Sequence, residues 1–318
     1  MSNQNERDQK LIEGDEVNVR ELIMLFWNRK LLITSFTSIA AILSVLYALY
    51  LPNIYTSSAL LAPAESSSSS LSGGLSQMAG MASLAGISLP GSGMTGNKSV
   101  EAIERIQSFE FFEKYFLPTI SMQNLLAVDS WDSQQNIISY VEEDFDAASN
   151  KWIRSATYPK SSIPSAQEAF EKFSQSLSID EDKMTGFISI SIEHQSPYIA
   201  QKWVNNIIQQ INESMRESDK NKAEKSISFL NSQIANVNYE EVRQALSQLI
   251  QNQIKNLMLI ESDNYYVLKV LDSPIAPEKR SAPVRSVIAI LGTIFGFISI
   301  VVFTIISHYI TVHSILKD

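Results

Sequence analysis

The residue types that most often carry chemistry are sparse in this chain. The three histidines are His194, His308 and His313. His308 and His313 are five positions apart, whereas a helical metal pair needs ligands at i and i+4 on one face. They read as residues at a membrane–water interface. Four carboxylates cluster at Glu142, Glu143, Asp144 and Asp146. Such a cluster could hold a cation, but no further ligands follow at the spacing of a calcium loop, so it reads as the solvated end of a helix. Gly91, Gly96, Lys98 and Ser99 nearly reproduce the phosphate-cradling pattern G-x-x-x-x-G-K-[ST]. Asn97 is inserted between glycine and lysine and no strand leads into the motif, so nucleotide binding is not expected. Neither a G-x-S-x-G elbow nor an H-E-x-x-H pair occurs. Carboxylate pairs are too common on helix surfaces to indicate a glycosidase. Cysteine is absent, which removes disulfides and thiol-based metal or redox sites. The sequence therefore assigns no catalytic, cofactor-binding or metal residue. No cofactor is expected, and the chain does not read as an enzyme.

The elements that position the rest are two apolar runs. Leu31–Leu51 and Ser286–Ser307 are uncharged over 21 and 22 residues. At about 1.5 Å per residue each is long enough to cross a bilayer core as a helix. Arg29 and Lys30 precede the first run, and no Lys or Arg follows until Lys98. That asymmetry predicts a cytoplasmic N-terminus. The second run has a weaker, opposite bias, with Lys279, Arg280 and Arg285 before it and Lys317 after. The first run decides, because long loops are translocated largely regardless of charge. Both termini are then expected in the cytoplasm. The acidic leader with Glu13, Asp15, Glu16 and Glu21 does not fit a cleaved signal peptide. A formal net charge of -9 argues against a general nucleic-acid binder.

Met1–Gly14 is polar and expected to be disordered. Val17–Lys30 carries a helical stripe of Val19, Leu22, Ile23, Phe26 and Trp27, which fits an interfacial helix or a plain extension of the span. Tyr55–Leu61 reads as a strand. Residues 64–99 form a Ser/Gly-rich loop with five consecutive serines, Ser66 to Ser70. It is either a linker or a loop with apolar teeth for a neighbouring subunit. Ser99–Phe116 is predicted helical and ended by Pro118. A second helix is predicted over Ser133–Asp146 and a shorter one over Ser165–Ser176. Thr185–Glu193 alternates as a half-buried strand. Ser196 and Pro197 then open a helix of about 40 residues on which Ile199, Trp203, Ile207, Ile211 and Met215 recur at steps of four. A turn at Asn236–Asn238 and a return helix over Glu240–Glu261 complete a hairpin spanning 196–261. Tyr265–Leu271 is a last strand, and the three strands are expected in one sheet at the base. Pro274, Pro277 and Pro283 then form a rigid collar before the second run. Gly292 and Gly296 give that run a small-residue face for close helix contact.

Two spans near the ends, the stretch TGFISISIEHQSPYIAQKWVN and the collar PIAPEKRSAPVR together resemble the polysaccharide co-polymerase family. Within it the chain is similar to the Wzz-type chain-length determinants of lipopolysaccharide O-antigen. In the family pattern a serine precedes the third proline and paired glycines follow in the span. Here Ala282 precedes Pro283, and Gly292 and Gly296 fall slightly early. The resemblance implies an inner-membrane homo-oligomer that sets glycan length beside a Wzy-type polymerase on an undecaprenyl-linked glycan, without catalytic residues of its own. A capsule or exopolysaccharide co-polymerase, working with a separate tyrosine kinase and an outer-membrane exporter, is the alternative.

The expected fold is an α/β membrane protein. Its parts are a cytoplasmic segment 1–30, a transmembrane helix 31–51, a periplasmic α/β domain 52–285 with a long projecting helical hairpin, a second transmembrane helix 286–307 and a cytoplasmic tail 308–318. The residues expected to matter are Gly292 and Gly296 for transmembrane packing or partner contact, and Pro274, Pro277 and Pro283 for the collar. Trp203, Ile207 and Ile211 are expected to pack the hairpin and the oligomer. Membrane lipid is the other expected partner, and nucleic acid is not one.

Overall fold

The computed structural model describes residues 24, 26–64, 97–262 and 265–315. The helical stripe expected over 17–30 lies largely outside these residues, as do most of the Ser/Gly-rich loop and Gly91 and Gly96. The chain divides into two compact units, residues 1–53 with 281–318, and residues 54–280.

The first unit is a helix pair, α1 (Lys30–Tyr50) and α8 (Arg285–Ile315). Both are long and apolar enough to cross a membrane, with mean hydropathies of 2.0 over Lys30–Tyr50 and 2.6 over Arg285–His308. They run antiparallel: Arg29 Nη1 reaches Ser307 Oγ at 3.4 Å, Ser44 Oγ donates to the Ala289 carbonyl at 3.2 Å, and Arg285 Nε donates to the Ala48 carbonyl at 3.0 Å. Large side chains such as Leu31, Ile42 and Phe295 point outward and are exposed. Small residues face inward, which is the arrangement that packing in lipid favours.

The second unit is built on a four-stranded antiparallel sheet in the order β6-β7-β1-β8, with β1 Tyr55–Pro63, β6 Leu177–Glu181, β7 Ile188–His194 and β8 Leu268–Asp272. Along β7, Ile188, Ile190 and Ile192 are buried while Ser189, Ser191 and Glu193 are not, so the alternation in the sequence is the two-sided pleat itself. The row Ser178–Ser191–Ser58 crosses three strands on the polar face. The other face carries the core. Helix α6 (Pro197–Ile234) packs there with its first half, burying Ala200, Trp203, Val204, Ile207, Ile208, Ile211 and Met215. Helix α2 (Asn97–Ile106), a short α3 (Phe109–Phe111) running on through a wide π turn Phe112–Phe116, α4 (Met122–Leu126) and α5 (Ala166–Ser176) complete that core. Phe112, Phe116, Phe173 and Trp203 form a chain of ring contacts at centroid distances of 4.7 to 6.1 Å. Helix α5 starts where a capping box closes, with Ser165 Oγ accepting from Glu168 N–H and Glu168 accepting in return from Ser165 N–H.

Two local expectations are overturned. Ser133–Asp146 is not a helix but two small hairpins, β2 (Val128–Asp132) with β3 (Ile137–Tyr140) and β4 (Phe145–Asp146) with β5 (Lys151–Trp152). The cause is side-chain competition for the backbone. Asp132 Oδ1 accepts from Gln134 N–H at 2.7 Å and Asp146 Oδ1 from Ala148 N–H at 3.0 Å, while Asn136 and Asn150 take a φ of 53°. Asparagine tolerates this left-handed conformation, and two turns form where a helix surface was expected. The acidic cluster therefore lies in a turn and a short bridge rather than at a helix end. The helix expected over Ser99–Phe116 is also interrupted. Ser108 has an extended ψ of 147° and caps the next turn by accepting from Phe111 N–H, and Pro118 lies within a 3-10 turn, Leu117–Thr119.

The long hairpin has the expected form. Helix α6 runs 38 residues and α7 (Glu240–Ser262) returns over 23. After Met215, Ala223 is the one buried residue of α6.

Candidate functional site

Three places concentrate polar or close contacts that the fold must hold. The first is the helix pair of the first unit. A Cβ placed on Gly292 would collide with Ser44 Cβ, and one on Gly296 with Ala40 Cβ. Only glycine lets α8 approach α1 this closely. The sequence pattern marked these two positions, and the structure sets them against the chain's own first apolar helix.

The second is the point where α6 leaves the core. Asn212 is buried, and its Nδ2 donates to the Ile208 and Leu268 carbonyls at 2.9 and 3.0 Å. Its Oδ1 accepts from Val267 and Leu268 N–H at 2.8 and 3.1 Å. One side chain thus continues the hydrogen bonding of edge strand β8 from the helix. Two turns further on, Asp219 accepts from Lys98 Nζ at 2.8 Å and from Tyr266 OH at 2.6 Å, and Lys98 Nζ lies 2.7 Å from Tyr266 OH. Burial, then the bond to Asp219, pushes the Tyr266 phenol up to about 12. Burial opposes the charge on Asp219, yet its bonds to Lys98 and Tyr266 hold its carboxyl below the usual range. The same partners hold the Lys98 ammonium above its usual value against burial. Lys98 of the near-phosphate motif is therefore committed to a network joining α2, α6 and the start of the last strand. Asn212 was legible in principle as the one amide on a stripe otherwise made of Ile208, Ile211 and Met215. The Lys98–Asp219–Tyr266 contacts span 121 and 168 positions and have no local signal.

The third is His194. Its Nδ1 accepts from Ser196 N–H at 2.8 Å, and its Nε2 lies 2.8 Å from the Asn124 carbonyl, which fixes the Nε2-protonated neutral ring. Burial lowers its pKa from 6.5, and the Asn124 carbonyl opposes that shift. The ring packs edge-on to Trp203 at 5.0 Å. This is a structural arrangement at the β7–α6 junction, made with two backbone groups and the Trp203 ring.

Trp203, Ile207 and Ile211 lie in the core beneath the sheet, each at most 2% exposed. Pro274 is buried and Pro277 and Pro283 are partly so. The Pro274 carbonyl accepts from Gln201 Nε2 at 2.9 Å, and the Ile275 carbonyl accepts from Ser57 Oγ at 2.8 Å. The start of the collar is thereby tied to α6 and β1. A cleft of about 590 Å³ between α2, α3 and α6 includes Arg105, Lys114, Lys222 and Glu217. Arg105 pairs with Glu101, Lys114 with Glu217 and Lys222 with Asp219, and the Tyr115 ring is stacked on Phe111 and covered by Lys114. Among the described residues, no group of three His, Asp or Glu could hold a metal ion.

Residues 15–117 match the family model described as Wzz, chain length determinant protein. Among solved structures, a full-length bacterial polysaccharide co-polymerase is similar at 13% identity, covering 91% of this chain and 97% of that one, with a TM-score of 0.39. A fragment of WzzB, a polysaccharide co-polymerase from Salmonella Typhimurium, is similar at 14% identity, covering 72% of this chain and 100% of that one, with a TM-score of 0.33. No curated protein matches the chain. The family that the sequence resembles is the one whose model matches.

Proposed function

We propose that this chain regulates polysaccharide chain length as a homo-oligomeric inner-membrane co-polymerase, and that its product is lipopolysaccharide O-antigen made by a Wzy-type polymerase. The observation that carries the reading is the chain-length-determinant match over residues 15–117, which covers the first apolar helix and strand β1. In this reading residues 31–51 and 286–307 span the membrane, both termini are cytoplasmic, and 52–285 is periplasmic. The protein acts on the polymerase and its undecaprenyl-linked glycan rather than by catalysis of its own. The collar begins at Pro274, which is tied to α6, and Pro277 and Pro283 restrict the backbone that follows it.

Oligomerisation is supported by the outer half of the hairpin. Phe229, Val242, Leu249 and Met258 on two helices that bury little against each other, and Tyr239 in the turn between them, are 46 to 75% exposed. Long helices draw their stability from tertiary packing, so neighbouring copies are the natural cover for these side chains. Trp203, Ile207 and Ile211 serve that assembly indirectly, by fixing the root of the hairpin on the sheet.

The test is the lipopolysaccharide ladder of a strain lacking the protein. The modal cluster of lengths is expected to disappear on deletion and return with the wild-type chain. An unchanged ladder, with a shortened capsule or exopolysaccharide instead, would move the role to that polymer. Reporter fusions at Asp318 should be active only as cytoplasmic reporters.

A further inference from the structure

Both chain exits of the second unit leave from one end of its sheet. Strand β1 begins at Tyr55, and Ser57 Oγ bonds the Ile275 carbonyl at 2.8 Å, just before the chain departs at Arg280. The same end carries a cluster of rings. Tyr55 and Trp131 meet edge to face at 5.4 Å, and Trp131 meets Tyr198 at 6.3 Å. Tyr198 is 54% exposed, and Ile275, whose carbonyl bonds Ser57 two residues beyond Tyr55 and which follows the Pro274 held by Gln201 of α6, is 69% exposed. The cluster is held rigidly. Trp131 Nε1 donates to Asn136 Oδ1 at 2.9 Å across the β2–β3 turn, and Gln195 Nε2 bonds the Val128 carbonyl at 3.4 Å.

Chain length says what such a patch can meet. Tyr55 follows the last residue of α1, Tyr50, by five positions, so a fully extended chain keeps it within about 17 Å of the end of that apolar helix. Rings with an apolar body and a polar tip are the residues that favour the headgroup layer. Asp129 and Asp132 flank Trp131, so anionic lipid is not what the hairpin attracts.

We infer that Tyr55, Trp131, Tyr198 and Ile275 form a lipid-facing patch that seats the α/β domain in the zwitterionic headgroup layer. The inference rests on α1 and α8 being membrane spans, as in the reading above. The patch would limit tilting of the domain on the membrane surface.

The absence of cysteine makes the test clean. Single cysteines are placed at Ser133 or Gln135 in the β2–β3 turn, at Asn238 in the hairpin turn and at Ile42 in α1. Each is spin-labelled in the full-length chain in phosphatidylcholine discs. The ratio of collisions with oxygen to collisions with a water-soluble nickel complex reads immersion. At 133 and 135 the ratio is expected to be about threefold that at 238, because the interface excludes the nickel complex. Trp131→Ser with Tyr198→Ser should bring it back to the value at 238, with circular dichroism unchanged. A label at 133 and 135 as aqueous as the one at 238, with Ile42 in lipid, overturns the patch and leaves the membrane reading intact. An aqueous Ile42 overturns both.

Discussion

The two halves of helix α6 carry apolar stripes of the same period in a continuous hydrogen-bonded rod, yet they do different things. From Pro197 to Met215 the helix lies on the sheet, and its buried residues recur at steps of three and four. From Arg216 to Ile234 only Ala223 is buried, and the helix is accompanied by α7 with surface contacts such as Lys220–Glu261 at 2.7 Å. The inner half defines a fold. The outer half offers a surface. The difference teaches that helical periodicity alone does not distinguish a core from an interface, since Ile207 and Ile227 stand on stripes of the same kind.

The comparison is broken most easily by truncations at the root of the hairpin and in its outer part. Ile207→Ala or Trp203→Ala should destabilise the folded domain by about 3–5 kcal/mol, the usual cost of a large core deletion. Leu249→Ala on α7 should stay within about 0.5 kcal/mol, as surface changes do. Denaturant midpoints of the detergent-solubilised protein would show it. Equal losses would mean that the outer hairpin is part of the core.

The junction between the halves gives the next effect. Asn212→Leu leaves the Val267 and Leu268 amides without their acceptor and should cost about 2 kcal/mol or more. Asp219→Asn should cost only about 1 kcal/mol, because Lys98 is 36% exposed and solvent already screens that pair. If the two substitutions ranked in reverse, the charged network rather than the amide would be what fastens β8.

His194 sharpens the comparison through pH. Its folded pKa lies below 6.5, so the unfolded chain takes up the proton first. The stability it contributes is complete above about pH 6.5 and is lost as pH falls through the folded value. Asp219, Asp182 and Glu168, also lowered, act in the same direction at more acid pH. Melting followed from pH 7.5 to 5.5 should show a decline that His194→Gln flattens. An identical slope in the variant would place the titration elsewhere. The smallest effect on folding is expected at the helix pair. Gly292→Leu with Gly296→Leu should part α1 from α8, leave the domain's melting unchanged and broaden the polymer lengths. An unchanged ladder would leave those glycines a packing role only.

These contrasts also show what the sequence could convey. The apolar helices, the strand at 188–194 and both long helices were legible because each repeats one period over many residues. Gly292 and Gly296 were legible through their spacing. The region 128–152 was not, because Asp132, Asn136, Asp146 and Asn150 turn the backbone through bonds to near neighbours, and their side chains look like a polar helix face. Strand β6 was missed because it is a polar edge strand that follows α5 directly, at Leu177. Lys98, Asp219 and Tyr266 are joined only by the finished fold.

In the proposed function, the inner half of the hairpin makes the fold while the outer half, through contact between copies, sets polymer length. A strain lacking the protein, complemented with Val242→Glu plus Leu249→Glu, tests it directly. Normal expression, a domain that melts with the wild type, smaller assemblies by native mass measurement, and a ladder without its modal cluster are expected. A wild-type modal length from a variant that no longer assembles would contradict it.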